Sequence, residues 1–332
     1  MCAHILVTGG AGFIGSHLSR RLLGRGDRVT VLDNFNDFYD PQLKRRNVSA
    51  FLDNGNYRLV EGDIRDAALV DQLFADSGFD GVVHLAARAG VRPSLEQPIL
   101  YEQVNCIGTL NLLEAARRHG PEVFTFGSSS SVYGINEKVP FSEEDEVNLP
   151  ISPYATTKRA GELMCFNYHH LYGMRISCLR FFTVYGPGQR PEMAIHKFTN
   201  LLAKGETIPM FGDGSSRRDY TFIDDIIDGV VAALDQAPGF EIFNLGGAET
   251  TSLADLVSWL AEDLKVEAQI ERFPDQPGDV PITYAEVSKA AKLLGYSPKV
   301  PIREGLRRFV NWYRSNESPA PLPGPSKQGS SD

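Results

Sequence analysis

The sequence is short of sulfur and has no excess of basic charge. Its four cysteines, Cys2, Cys106, Cys165 and Cys178, stand far apart with no C-x-x-C pair. That spacing fits neither a zinc site nor a disulfide framework, so we expect no metal and a reducing, cytoplasmic setting. Thirty-three Lys and Arg against 42 Asp and Glu leave a formal net charge of −9. A chain so acidic offers no broad surface to nucleic acid or anionic lipid, and any phosphate must be held locally. No window approaches about 18 apolar residues, and the opening MCAHILVTGG has no basic segment ahead of a long apolar run. Neither secretion nor membrane insertion is expected. What is present is a 332-residue chain with 42% hydrophobic residues, enough for about two domains and a cleft between them.

Short apolar runs alternate with amphipathic segments through the first half, the rhythm of parallel βαβ units. Strands are expected at His4–Val7, Arg28–Leu32, Tyr57–Val60, Gly81–Leu85, Glu122–Phe126 and Arg175–Leu179. Helices are expected at Gly12–Leu23, Ala67–Ala75, Tyr101–His119 and Pro153–Tyr172. From Phe181 onward Gly and Pro clusters break the rhythm, with a further helix at Ser252–Leu264. We therefore expect a first unit over 1–180, with returning segments near 220–245, and a smaller lobe over most of 181–313. Residues 314–332, rich in Pro, Ser and Gly, read as a loose tail.

ILVTGGAGFIG sets Gly9, Gly12 and Gly15 directly after an apolar strand and at the start of a helix. A phosphate diester approaches backbone only where no Cβ intrudes, and a helix start such as Gly12-Phe13-Ile14-Gly15 offers unpaired N–H groups. The second strand ends in Asp33-Asn34. A carboxylate there accepts from an adenosine ribose diol and repels a 2′-phosphate, which favours NAD over NADP. Asp63-Ile64 and Leu85-Ala86-Ala87 follow the next two strand candidates, where small side chains leave room for the cofactor.

Tyr154 and Lys158 form Y-x-x-x-K on an expected helix, so both side chains share one face. A nearby ammonium and a nicotinamide charge are expected to lower the phenol pKa toward a usable base. The run Ser128-Ser129-Ser130-Ser131 follows an apolar strand and brings hydroxyls to the same strand ends. One of them can relay a substrate proton to Tyr154.

TGGAGFIG, HLAA, SSSSVYG and YATTK together resemble the extended short-chain dehydrogenases/reductases, and within them the nucleotide-sugar epimerases, over about residues 3–313. The resemblance implies a Rossmann fold, a doubly wound parallel sheet carrying NAD, with a smaller α/β C-terminal lobe carrying the nucleotide sugar. It also implies a catalytic set of Ser129, Tyr154 and Lys158, with Asn105, Asp63 and Leu85 near the cofactor, and a homodimer. Relatives that dehydrate or decarboxylate carry acids in the serine loop, where this chain has Ser130 and Ser131. Reversible 4-epimerisation of a UDP-sugar is the simplest chemistry left.

FNDFYDPQLKRRN, AGVRPSLEQP and RFFTVYGPGQRPEMA are similar to UDP-glucuronate 4-epimerases more than to UDP-glucose 4-epimerases. Thr183 stands where the glucose enzymes typically have Asn, and Gln276 where they have Arg. A sugar carboxylate calls for a charge-assisted donor plus a hydroxyl, and Arg190 with Thr183 supplies both. By resemblance Arg218 meets a phosphate and Asp279 the uridine ribose. Met193-Ala194, opening a helix, can give N–H groups to the second phosphate. Ser130 is expected at the sugar, and Arg92 at the phosphates or the carboxylate. A 4-epimerase of neutral UDP-sugars and a non-catalytic NAD-binding scaffold stay open as alternatives.

Overall fold

The computed structural model describes residues 2–236, 239–274 and 280–316. The first half runs β1 (His4–Thr8), α1 (Phe13–Gly24), β2 (Arg28–Asp33), α2 (Pro41–Ser49), β3 (Tyr57–Glu61), α3 (Ala67–Ser77) and β4 (Gly81–His84). It continues through α4 (Val91–Glu96), α5 (Pro98–Tyr101), α6 (Gly108–His119), β5 (Val123–Ser129), α7 (Pro153–Tyr172) and β6 (Arg175–Phe181). There follow β7 (Thr183–Tyr185), α8 (Ala194–Lys204), β8 (Ile208–Phe211), β9 (Arg217–Arg218), β10 (Tyr220–Phe222), α9 (Ile223–Gln236) and β11 (Phe240–Leu245). The chain closes with β12 (Thr251–Ser252), α10 (Leu253–Leu264), β13 (Ile270–Phe273), α11 (Ser288–Leu294) and α12 (Ile302–Asn316).

Seven strands make one parallel sheet in the order β11-β6-β5-β4-β1-β2-β3. Its inner strands are buried on both faces, which is why they read as near-continuous apolar runs, broken by buried threonines such as Thr30 and Thr125, rather than as alternation. Alternate residues feed two cores. Val7, Val31 and Val83 pack with Leu18 and Leu22 of α1 and Ile226 and Val230 of α9. Leu6, Leu32, Val82 and Phe124 pack with Val70 of α3, Leu112 of α6 and Cys165 of α7. The first core runs on through Phe198, Leu256 and Phe309 of α8, α10 and α12, so both halves of the chain share apolar packing. Because β1 lies between β2 and β4, successive connections leave in opposite directions there, and a crevice opens beyond the carboxyl ends of the strands.

Two expectations need correction. The helix expected over Tyr101–His119 is interrupted: α5 ends at Tyr101 and a wider π turn, Glu102–Ile107, intervenes before α6. This turn carries Asn105, whose amide is hydrogen-bonded inward to two other segments. Residues 314–316, expected in the loose tail, instead end α12, where Arg314 Nη2 donates to the carbonyls of Asp263 and Leu264, both at 3.1 Å. The rest of the tail, with Gln276 and Asp279, lies outside the described residues. Among the described residues no helix is long and apolar enough to cross a membrane.

Candidate active site

A cavity of about 500 Å³ opens at the crevice. Its wall collects most of the residues that the sequence singles out. Gly9, Gly12, Phe13, Ile14 and Gly15 come from the β1–α1 turn, and Asp33, Asn34, Asp63 and Ile64 from the ends of β2 and β3. Leu85, Ala86 and Ala87 follow β4, Ser128 and Ser129 end β5 with Ser130 just after it, and Tyr154 and Lys158 come from α7. Thr183, Arg190, Met193 and Arg218 complete it from the second half.

The glycine turn fits a dinucleotide. Gly9 sits at φ +69°, and a Cβ there would lie 2.7 Å from the Ala86 nitrogen, so only glycine lets the turn meet the strand-end segment beside it. Gly12 caps α1 with no side chain hydrogen-bonded to the cap, leaving the first-turn amides of the helix to a phosphate. Asp33 is buried, and its carboxylate takes the Ala11 N–H at 3.1 Å and the Phe35 N–H at 2.9 Å. Burial pushes its pKa up, and those two amides with the Lys44 charge oppose the rise. Asp63 is held at about 2, chiefly by Arg65, and also accepts from Asn34 Nδ2 at 2.9 Å.

α7 owes its start to Ser152, whose Oγ accepts the Ala155 N–H at 3.1 Å, and to Pro153 in the first turn. Tyr154 is half-buried in the first turn, and Lys158, one turn further in, is buried against β5. Lys158 Nζ donates to the Gly127 carbonyl at 2.6 Å, and burial pulls its pKa down to about 8. The expectation of a lowered Tyr154 pKa is not met in the protein alone. Burial raises it, and the hydrogen bond to Ser129 and the Arg190 charge only partly offset that rise. The reason is geometric: the ammonium is engaged with Gly127 and stands 6.0 Å from the centre of the Tyr154 ring. A phenolate must therefore be favoured by charge that enters the cavity.

Three expected residues are absent from the cavity wall. Asn105 is buried behind it, its Oδ1 accepting the Arg88 N–H at 2.8 Å and its Nδ2 donating to the Arg88 carbonyl and to Thr157 Oγ1, both at 3.0 Å. Arg92 is exposed, its guanidinium over the Phe211 ring at 5.7 Å. Ala194 begins α8 beyond Met193, which does face the cavity. Arg217 and Arg218 diverge. Arg217 turns to Thr250, donating to its hydroxyl and carbonyl, while Arg218 remains on the cavity wall. Arg190 is half-buried, with Nε 3.2 Å from the Glu192 carboxylate and its guanidinium over the Phe38 ring at 5.6 Å.

Sequence reasoning missed two groups. Asn36, Phe38, Tyr39 and Lys44 line the cavity from the connection after β2 and from α2. They lie within FNDFYDPQLKRRN, a run matched as a whole without assigning its residues. Behind Ser129 a buried network runs from Glu162 through Arg180. Glu162 Oε1 accepts from Ser128 Oγ at 2.6 Å and Arg180 Nε at 2.8 Å, and Oε2 from Arg180 Nη2 at 2.9 Å and Arg159 Nη1 at 3.0 Å. Arg180 Nη1 donates to the Tyr133 hydroxyl, which donates to Asn244 Oδ1 on β11 at 2.6 Å. Glu162 falls four residues after Lys158, the spacing that sets Lys158 four after Tyr154, and that periodicity was the available signal.

Comparison with known proteins identifies the family. The chain is 46% identical over 330 residues to UDP-glucuronate 4-epimerase 4 of Arabidopsis thaliana, covering 94% of this chain and 75% of that one. The crystal structure of UDP-glucuronic acid 4-epimerase from Bacillus cereus, in complex with UDP-glucuronic acid and NAD, matches with a TM-score of 0.89 at 38% identity, covering 94% of this chain and 99% of that one. UDP-glucose 4-epimerase from Thermotoga maritima, solved with UDP-glucose, matches with a TM-score of 0.87 at 34% identity and the same coverage. The model of the NAD dependent epimerase/dehydratase family matches residues 5–246. With its glycine turn, its Tyr154–Lys158 pair and its seven-stranded parallel sheet, this chain belongs to the NAD dependent epimerase/dehydratase family and is an NAD-dependent enzyme of the epimerase type.

Proposed function

We propose that the enzyme, a UDP-sugar 4-epimerase, interconverts UDP-glucuronate and UDP-galacturonate. The observation that carries this reading is a guanidinium, Arg190, on the same cavity wall as Thr183, Ser129 and Tyr154, close enough for its charge to act on the Tyr154 hydroxyl. Arg190 and Thr183 bind the sugar carboxylate, Arg218 and Met193 at the start of α8 bind the diphosphate, and Asp279 binds the uridine ribose. Ser129 and Tyr154 take the proton from the sugar 4-hydroxyl and later return it. NAD, which the glycine turn and Asp33 would hold, would supply a reversible hydride acceptor. Ser130 and Ser131, where dehydrating and decarboxylating relatives carry acids, leave no further proton donor to divert the ketone.

The test is incubation of the purified enzyme, without added NAD, with UDP-glucuronate and separately with UDP-glucose, every product being identified by NMR. UDP-galacturonate is expected. UDP-galactose instead would move the activity to neutral sugars, UDP-xylose would refute the reading of the serine loop, and no product even with NAD supplied would favour a scaffold.

A 4-keto uronate is a β-keto acid and loses carbon dioxide when its carboxylate turns perpendicular to the ketone. Arg190 and Thr183 hold the carboxylate out of that orientation. Arg190→Ala is expected to bind UDP-glucuronate ~10- to 100-fold more weakly, the loss of a charge-assisted pair, and to leak UDP-pentose. Normal affinity with no pentose released would refute the role.

We also propose that the enzyme is a homodimer joined through α6 and α7, a reading supported by Leu110, Leu163 and Phe166, large apolar residues exposed on those helices. Light scattering that returns the monomer mass would overturn it. A reducing, cytoplasmic setting is supported by four cysteines present as free thiols.

A further inference from the structure

His84 ends β4 beneath the cavity and is 2% exposed. Its ring lies between two hydroxyls, with Nδ1 2.8 Å from Thr8 Oγ1 on β1 and Nε2 2.9 Å from Thr109 Oγ1 on α6. The directions of these bonds follow from proton counting. Thr109 spends its only hydroxyl proton on the Asn105 carbonyl at 2.5 Å, so toward His84 it can only accept, and Nε2 must carry a hydrogen. A neutral ring then has a lone pair at Nδ1, and Thr8 must donate to it. Thr8 Oγ1 in turn accepts the Ala86 N–H at 3.2 Å.

Each end of this chain grips the same stretch of cavity wall. At one end Thr8 holds the backbone of Ala86. At the other Asn105, whose carbonyl takes the Thr109 proton, clamps both polar groups of the Arg88 backbone and reaches Thr157 beside Lys158. The stretch between, Leu85–Ala87, lines the cavity and packs against the glycine turn, where a Cβ on Gly9 would strike Ala86. We propose that His84 is a positioning residue which, as a neutral imidazole with its proton on Nε2, ties these two clamps together and fixes the wall that receives the dinucleotide.

The surroundings favour the neutral ring. Phe124 and Phe126 of β5 stand against it, and the charged group that acts on it is the Lys158 ammonium of α7, which repels a second cation. Burial first and Lys158 second hold its pKa at about 3. Protonation would add a donor at Nδ1, and Thr8, turned into an acceptor, would have to take it together with the Ala86 N–H.

Two measurements test this. In the enzyme labelled with ¹⁵N at histidine, with the His84 signals assigned by their loss in His84→Gln, the expected spectrum is a neutral ring protonated at Nε2 that does not titrate between about pH 5.5 and about pH 8.5. An Nδ1-protonated ring, or one that titrates in that interval, would overturn the proposal. In calorimetry, His84→Leu should bind NAD ~10-fold or more weakly while keeping its affinity for UDP within ~2-fold. His84→Gln, whose carbonyl can accept from Thr8 and whose amide can donate to Thr109, should recover most of the NAD affinity. Unchanged NAD affinity in His84→Leu, equal loss of NAD and UDP, or no rescue by glutamine would each refute the role. None of these readouts depends on which sugar is turned over.

Discussion

Tyr154→Phe lowers kcat for epimerisation by ~10²- to 10⁴-fold, the range for a lost proton-transfer group, while UDP-sugar affinity measured by calorimetry stays near that of the parent. The phenol stands against Ser129 in the cavity, and a phenylalanine ring fills the same buried volume without the hydroxyl. A parallel loss of binding would mean that the hydroxyl serves chiefly to hold substrate. The parent enzyme should also lose kcat above about pH 8, with the sign set by Lys158. Burial disfavours its ammonium and brings the pKa from 10.5 down to about 8, so a rise in pH through that value removes the charge from the bond that holds the Gly127 carbonyl, two residues before Ser129. A kcat that stays flat to about pH 10 would count against this role for Lys158.

Removing one partner of the buried Glu162–Arg180 pair is the second large effect. Glu162→Ala or Arg180→Ala is expected to cost about 3–5 kcal/mol in denaturant unfolding, because the remaining charge is left unpaired in a dry interior. Both side chains are at most 1% exposed, and two bonds join them at 2.8 and 2.9 Å. The double replacement Glu162→Leu with Arg180→Met should recover much of that stability, yet remain slow, because Ser128 loses its acceptor next to Ser129. Single variants within about 1 kcal/mol of the parent would show that the pair is not carrying charge. Burial opposes ionisation of Glu162, but its bonds to Arg180 outweigh that and hold its pKa below the usual carboxylate range. Its stabilising share is thus present above the unfolded-state pKa and is lost as pH falls through the folded value.

The parallel sheet could be read from the sequence because strands buried on both faces leave near-continuous apolar runs, as in Ile5–Val7 and in Val29–Leu32 with its single Thr30. The glycine turn and Tyr154–Lys158 were legible because each is a local spacing. Properties set by distant chain segments were not. The raised pKa of Tyr154 depends on burial, the inward turn of Asn105 on Arg88 and Thr157, and the divergence of Arg217 from Arg218 on Thr250. Phe38, Tyr39 and Lys44 reach the cavity through a connection whose path no periodicity encodes.

The position of β11 has a consequence for how the chain is made. Its partner β6 ends at Phe181, whereas β11 begins only at Phe240. At ~5–20 residues per second, a growing chain carries β6 for several seconds as a bare parallel edge. Such an edge is a template for pairing with other chains. Asn244, on the strand that covers it, is also a link in the buried network behind Ser129, passing it on to the Phe141 and Glu286 carbonyls. The nascent sheet therefore gains its final strand and the Asn244 link of the network behind Ser129 in one event, and a ribosome that stalls between the two strands leaves an intermediate with both a bare edge and an unfinished network.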